Sequence, residues 1–197
     1  MRKLIVHEFV TLDGVMQAPG GKDEDTDGGF THGGWTGAYW HDDIGAAFFR
    51  LMQDVDAFLL GRRTYEGHAA AFEPMRPGDP FGDVMNAPRK YVVSKTLQAP
   101  TWRNTTIIRD NPIDAVRQLK AEPGKNIVTD GSSQLVHALL QHDLIDELFL
   151  HVYPIALGKG KRVFPDHIDA KFKLASAHPY PTGVVGLSYI KLGPEPV

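Results

Sequence analysis

Three short polar clusters, each at the end of an apolar run, carry most of the chemistry this sequence offers. Gly61-Arg62-Arg63-Thr64 follows "AFLL", Ser94-Lys95-Thr96 follows "KYVV", and Asp130-Gly131-Ser132-Ser133 follows "NIVT". Cationic and hydroxyl side chains suit phosphate oxygens, since charge-assisted hydrogen bonds are about twice as strong as neutral ones. The third cluster also opens a helical stretch, whose unpaired N–H groups and positive dipole end would face an anion. Glycine at 131 lets a ligand approach the backbone closely. Each cluster alone has a plainer reading: "SKT" is a common turn, "GSSQ" an ordinary helix start, and arginines often mark where a strand surfaces. Three such clusters at three strand ends point to a ligand with several phosphates. No G-x-G-x-x-G occurs, and "GKGKR" at 158–162 lacks the glycine spacing and hydroxyl of a P-loop.

Other residues could act on a substrate. Asp13 and Gly14 lie in "TLDGV", where they also suit a tight turn. Asp42 and Asp43 lie in "YWHDDIGAAF", where either is a natural helix cap. Trp35, Tyr39 and Trp40 precede that helix and could stack on a flat heterocycle or simply pack. Nine histidines raise the question of a metal. His137 and His142 are five apart and do not share a helix face, there is no H-E-x-x-H, and His7 and His151 fall within strands, so no metal site is expected. "LGKGKR" at 157–162 is either a solvated loop or a contact to a substrate phosphate.

The elements that position these groups follow from periodicity. "KLIVHEFV" at 3–10 is a short β-branched strand ending at "TLDG". Residues 19–37 hold seven glycines and four acids with no apolar period, which reads as a long mobile loop, either a lid or a surface insertion. Ile44, Ala47, Phe48, Leu51, Met52 and Val55 form one helical stripe, with Asp42 or Asp43 as its cap. Strands at 57–61, 90–94, 105–108 and 126–130 alternate with helices in "TYEGHAAAF", in "DNPIDAVRQLKAEPG" with Asn111 as cap and Pro112 at its first position, and in "SSQLVHALLQH". The last third differs: "ELFLHVY" alternates, and strands at 171–178 and 184–191 flank "PYPTG" as a hairpin would. The expected fold is a single α/β domain over 1–197, with a mostly parallel central sheet of about eight strands, helices on both faces and an antiparallel C-terminal hairpin.

Composition narrows the classes. The chain has 197 residues, 42% hydrophobic and 23% charged, with 21 basic and 24 acidic side chains for a net charge of −3. No basic block is long enough for a nucleic-acid footprint, so no nucleic-acid partner is expected. Absence of cysteine excludes disulfides and thiol catalysis and suits a reducing compartment. There is no secretory h-region and no run of 18 apolar residues, so the expectation is a cytoplasmic protein with no membrane partner.

"GRRTYEG" resembles the G-R-x-T-[WY]-E segment of dihydrofolate reductases, and "YVVSKTL" the strand that follows it there. "TLDGV", "GSSQLVHALL" and above all "LIDELFLHVYPIALGKGKRVF" at 144–164 are more similar to a sister group. That group is the reductase domain of the riboflavin-biosynthesis deaminase-reductase and its stand-alone bacterial relatives. The resemblance covers nearly the whole chain and implies a dihydrofolate reductase-like fold with NADPH as cofactor. It implies that Gly61, Arg62 and Thr64 contact cofactor phosphates, with Arg63 at the motif's variable position. Ser94 and Lys95 would hold the adenosine 2′-phosphate, and Gly131, Ser132 and Ser133 the pyrophosphate. The residues agree: a free ribose hydroxyl calls for a carboxylate, and none adjoins Ser94-Lys95-Thr96. Asp13 would lie near nicotinamide and substrate, Asp42 or Asp43 near the acid of true folate enzymes, and Trp35, Tyr39 and Trp40 around the substrate. The spacing from Asp42 and Asp43 to "GRRT" departs from a folate enzyme, which counts against dihydrofolate as the physiological substrate.

The function expected from this is hydride transfer from NADPH to a small pteridine- or pyrimidine-like heterocycle. The alternative is a non-catalytic NADP(H)-binding sensor or interaction module. Related reductase domains pair across a two-fold axis, so a homodimer is expected as well.

Overall fold

The computed structural model describes residues 1–193. Eight strands form one sheet: β1 (Leu4–Thr11), β2 (Val55–Gly61), β3 (Arg89–Val93), β4 (Thr105–Ile108), β5 (Asn126–Asp130), β6 (Glu147–Tyr153), β7 (Phe172–Pro179) and β8 (Val185–Lys191). Their spatial order is β4-β3-β2-β5-β1-β6-β8-β7. The first six pair in parallel; β8 runs antiparallel to both β6 and β7. The mostly parallel sheet with an antiparallel C-terminal hairpin is as the sequence implied.

Five α-helices cover the sheet: α1 (Asp42–Met52), α2 (Arg62–Phe72), α3 (Pro80–Asn86), α4 (Pro112–Ala121) and α5 (Ser133–Gln141). One face packs Phe58, Leu60 and Val128 against Phe48 and Met52 of α1, Tyr65 and Ala69 of α2, and Met85 of α3. The other packs Val6, Leu59 and Ile127 against Val116 and Leu119 of α4 and Leu135, Val136 and Leu139 of α5. Neighbouring residues of one strand thus serve opposite cores, the alternation of a pleated sheet covered on both sides. Among the described residues no helix is long and apolar enough to cross a membrane.

Three expectations need correction. The stripe from Ile44 ends at Met52; Val55 is buried but opens β2. The cap of α1 is His41, whose Nδ1 accepts the Asp43 N–H at 3.3 Å, while Asp42 and Asp43 occupy the first helical turn, where their charge suits the helix dipole. Helix α3 was not anticipated, although its signal was present: Asp79 accepts the N–H groups of Phe81 and Gly82, and Pro80 takes the first position. Asn111 does sit at the start of α4, but in the left-handed region and with no side-chain cap bond.

The loop at 19–37 is tied at its base. Trp35 Nε1 donates to the Gln17 carbonyl at 2.8 Å, and Thr36 Oγ1 donates to the Pro19 carbonyl at 2.6 Å. A short 3₁₀ turn, Asp27–Gly29, forms at its tip.

Candidate functional site

Parallel strands β1 and β5 are neighbours, yet their onward connections lie on opposite faces: β1 leads through α1 to β2, and β5 through α5 to β6. Such a switch point leaves a crevice beyond the carboxyl ends of the strands, where ligands of open α/β sheets bind. The polar clusters of the sequence line this end of the sheet.

The structure joins two clusters directly. Ser132 Oγ accepts the Gly61 N–H at 2.8 Å and donates to Thr64 Oγ1 at 2.7 Å, tying the ends of β2 and β5 together. Gly131 has φ +82°, and a Cβ there would lie 2.8 Å from Thr64 Cγ2, so only glycine fits without displacing Thr64. Ser132 is itself left-handed, at φ 73°, and turns the chain into α5. Ser133 is buried in the first turn of that helix.

The third cluster lies one strand further out, at the end of β3. Ser94 Oγ accepts the N–H groups of Thr96 and Leu97 at 3.2 and 2.9 Å, shaping the turn that presents Lys95 to solvent. Arg109, beyond β4, donates to the Lys95 carbonyl at 3.4 Å and adds a cation that the sequence reading overlooked. Arg62, in contrast, forms an i,i+4 pair with Glu66 at 2.8 Å.

A largely buried group at this end of the sheet, built by Asp130 with two histidines, was not anticipated from the sequence. His7 and Asp130 are register partners on β1 and β5, and Asp130 lies 3.3 Å from His7 Nδ1 and 3.2 Å from His68 Nε2 of α2. Burial alone would raise the Asp130 carboxyl, but the hydrogen bonds from His68 and His7 outweigh it and hold the group well below the usual carboxylate range. Glu8, next along β1, points to the opposite face and accepts the Gly131 N–H at 2.9 Å. Its burial first, and the charge of Asp130 second, push its carboxyl well above the ordinary value. The signal was in "KLIVHEFV", where two polar residues interrupt an otherwise apolar strand.

The sign of the Glu8 shift makes a measurable difference. A carboxyl raised in the folded state supports stability below its unfolded pKa of about 4.3, and that support is lost as pH rises through the folded value. Urea midpoints of the native chain should therefore decline across that window. Glu8→Gln, which keeps an acceptor for Gly131, should remove this part of the decline, and parallel pH profiles for the two proteins would refute the assignment.

On the α1 face, Phe9 pairs with His151 across β1 and β6 and stands edge-on to the half-exposed Trp40. Trp35 and Tyr39 pack edge-on against buried Tyr153. Three buried polar atoms on this face have no hydrogen-bond partner: His7 Nε2, His151 Nδ1 and the Tyr153 hydroxyl. Burial lowers the His151 imidazole to about 3, so it stays neutral. Its Nε2 meets the Tyr180 hydroxyl at 3.3 Å, and Tyr180 is raised by burial, with the Asp43 carboxylate nearby adding to the shift. Asp13 is otherwise employed. It accepts Thr11 Oγ1 at 2.6 Å and the N–H groups of Leu157 and Gly158 at 3.1 and 2.7 Å. It is held below the usual range, chiefly by the Thr11 bond. Among the described residues no three His, Asp or Glu side chains converge as metal ligands.

The fold is dihydrofolate reductase-like. The solved dihydrofolate reductase of Enterococcus faecalis, complexed with NADP(H), matches with a TM-score of 0.60 at 16% identity, covering 96% of both chains. A pyrimidine reductase-like protein from Corynebacterium diphtheriae matches with a TM-score of 0.67 at 13% identity, covering 98% of this chain and 93% of that one. The chain belongs to the RibD C-terminal domain family, which it matches over residues 2–186. It is also 27% identical over 199 residues to YyaP, an uncharacterized protein of Bacillus subtilis, covering 95% of this chain and 94% of that one.

Proposed function

We propose that the protein is an NADPH-dependent reductase that delivers a hydride to a small pteridine- or pyrimidine-like heterocycle. The observation that carries this reading is the row of phosphate-compatible ends on β3, β2 and β5, leading to the polar crevice at β1. Strands lie about 4.8 Å apart, so β3 to β1 spans roughly 14 Å, room for an extended dinucleotide. Lys95, with Arg109 beside it, would hold the 2′-phosphate. Gly61, Thr64, Gly131, Ser132 and Ser133 would cradle the pyrophosphate, with the opening N–H groups of α5 facing it. Arg62 would take part by leaving Glu66. The cofactor, when bound, supplies the hydride.

The remaining work falls to the chain. Trp40 and Phe9 offer an aromatic ledge for a flat ring. The unpartnered atoms of His7, His151 and Tyr153 suit the N–H and carbonyl groups on the edge of a polar heterocycle, since buried polar atoms are rarely left unpaired. His7, backed by Asp130, is the group best placed to hold a proton at Nε2. Asp13 would shape the turn beside the site, and Asp42 and Asp43 would act through the charge they place at the start of α1.

The test is incubation of pure protein with NADPH and a panel of dihydrofolate, pterins and aminopyrimidines, followed by loss of reduced-nicotinamide absorbance. Tight NADPH binding with no turnover across the panel would remove the reductase reading.

We also propose a homodimer. Leu174, Ile190 and Leu192 on or beside β7 and β8 are about half exposed, an apolar margin at the open edge of the sheet. Light scattering at tens of micromolar should give twice the 21.8 kDa chain mass, and a monomer mass would sink this prediction.

A further inference from the structure

The acidic tip of the glycine-rich loop does not hang free. Asp27 Oδ2 lies 2.6 Å from Arg63 Nη1 and 3.0 Å from Lys161 Nζ, and Lys161 Nζ lies 2.6 Å from Asp25 Oδ2. Gln17 is buried and donates to the carbonyls of both Asp25 and Asp27, which fixes where the tip can reach. Arg63 stands at the end of β2. Lys161 belongs to the segment after β6; its carbonyl accepts the Met16 N–H, and its own N–H donates to Gln17 Oε1. The strands between β2 and β6 are β5 and β1. One carboxylate therefore bridges two cations across the strand ends that form the crevice. Beside this bridge lies a cavity of about 380 Å³ lined by Gln17, Asp27, Phe30, Lys159 and Lys161.

We propose that Arg63 and Lys161 form an anion subsite at the mouth of the crevice, held by Asp27 in the free chain and taken over by a ligand phosphate. A carboxylate between two cations is a smaller version of a phosphate between two cations, and the phosphate brings more charge and more acceptor oxygens. The Arg63–Asp27 pair is exposed, with side chains 64% and 48% accessible, and Lys161 is partly so at 30%, so the bridge holds weakly and exchanges readily. Lys159 lines the cavity and offers a further cation. Loop and ligand would then compete for the same cations. This deepens the reading above but rests only on a phosphate-bearing ligand, not on hydride transfer. It also gives Arg63, the variable position of its motif, a definite task.

The experiment compares the full chain with Asp27→Asn and Arg63→Gln by calorimetry, using NADPH and ribose 5-phosphate as probes. Asp27→Asn should bind a phosphate probe about two- to five-fold more tightly than the native chain, the scale of one exposed ion pair removed from competition. Arg63→Gln should bind it more weakly. A gain confined to NADPH assigns the subsite to the cofactor, and a gain confined to ribose 5-phosphate assigns it to a phosphate on the substrate. Equal affinity of Asp27→Asn and native chain for both probes overturns the proposal, as does failure of both proteins to bind both probes at millimolar concentration. Loss of NADPH binding alone would remove the reductase reading and leave the subsite standing on the sugar phosphate.

Discussion

Lys95→Ala is expected to weaken NADPH binding by about 1.5–3 kcal/mol, the scale of a charge-assisted hydrogen bond lost to a phosphate. NADH, which lacks the 2′-phosphate, should bind nearly as before. The asymmetry arises because Lys95, presented to solvent by the Ser94 turn with Arg109 bonded to its carbonyl, would meet the phosphate that NADH lacks. Arg62→Ala should weaken both cofactors and change their ratio less, since phosphates common to both would be its partners. Its loss should also be the smaller, because the native Arg62 must first leave Glu66. Dissociation constants for both cofactors decide the matter. An unchanged NADPH-to-NADH ratio in Lys95→Ala would mean that the 2′-phosphate lies elsewhere.

Trp102→Ala should destabilise the fold by about 3–5 kcal/mol, the usual range for a large aromatic removed from a core. Trp102 is 2% exposed, stacks on Phe58 and lies against Tyr65 and Phe72. Its indole N–H donates to Asn86 Oδ1 at 2.6 Å, and its backbone N–H donates to the Tyr65 hydroxyl at 2.9 Å. Buried Lys90 sits 4.4 Å above the ring and donates to the Asn86 carbonyl at 2.6 Å. Removing the ring thus opens a cavity, takes the donor from Asn86 Oδ1 and removes the aromatic face beneath the Lys90 ammonium. Denaturant unfolding at neutral pH measures the sum, and a loss below about 1 kcal/mol would show that the site collapses to fill the space.

The sheet was legible because apolar runs ended in strong punctuation. "TTII" and "ELFLHVY" gave β4 and β6 to the residue, since turn residues bound both. Helix α3 was not, because seven residues between loops carry too little periodicity to stand out. The phosphate-compatible strand ends could be read because each is contiguous in sequence. The meeting of His7, His68 and Asp130 could not: they lie on three elements and come together only through the pairing of β1 with β5 and the docking of α2. Asp13 was legible by its motif but not by its partners. Its motif marked it as a candidate for chemistry, while its oxygens are taken up by Thr11, Leu157 and Gly158, partners up to 145 residues away.

Glu8 and Asp130 project to opposite faces of adjacent strands, and their ionisation is displaced in opposite directions. From about pH 4 up to the raised Glu8 value, one of the two is charged and the other neutral. Over that window the two together carry a single negative charge. The potential that these carboxyls impose on whatever occupies the crevice is therefore nearly constant.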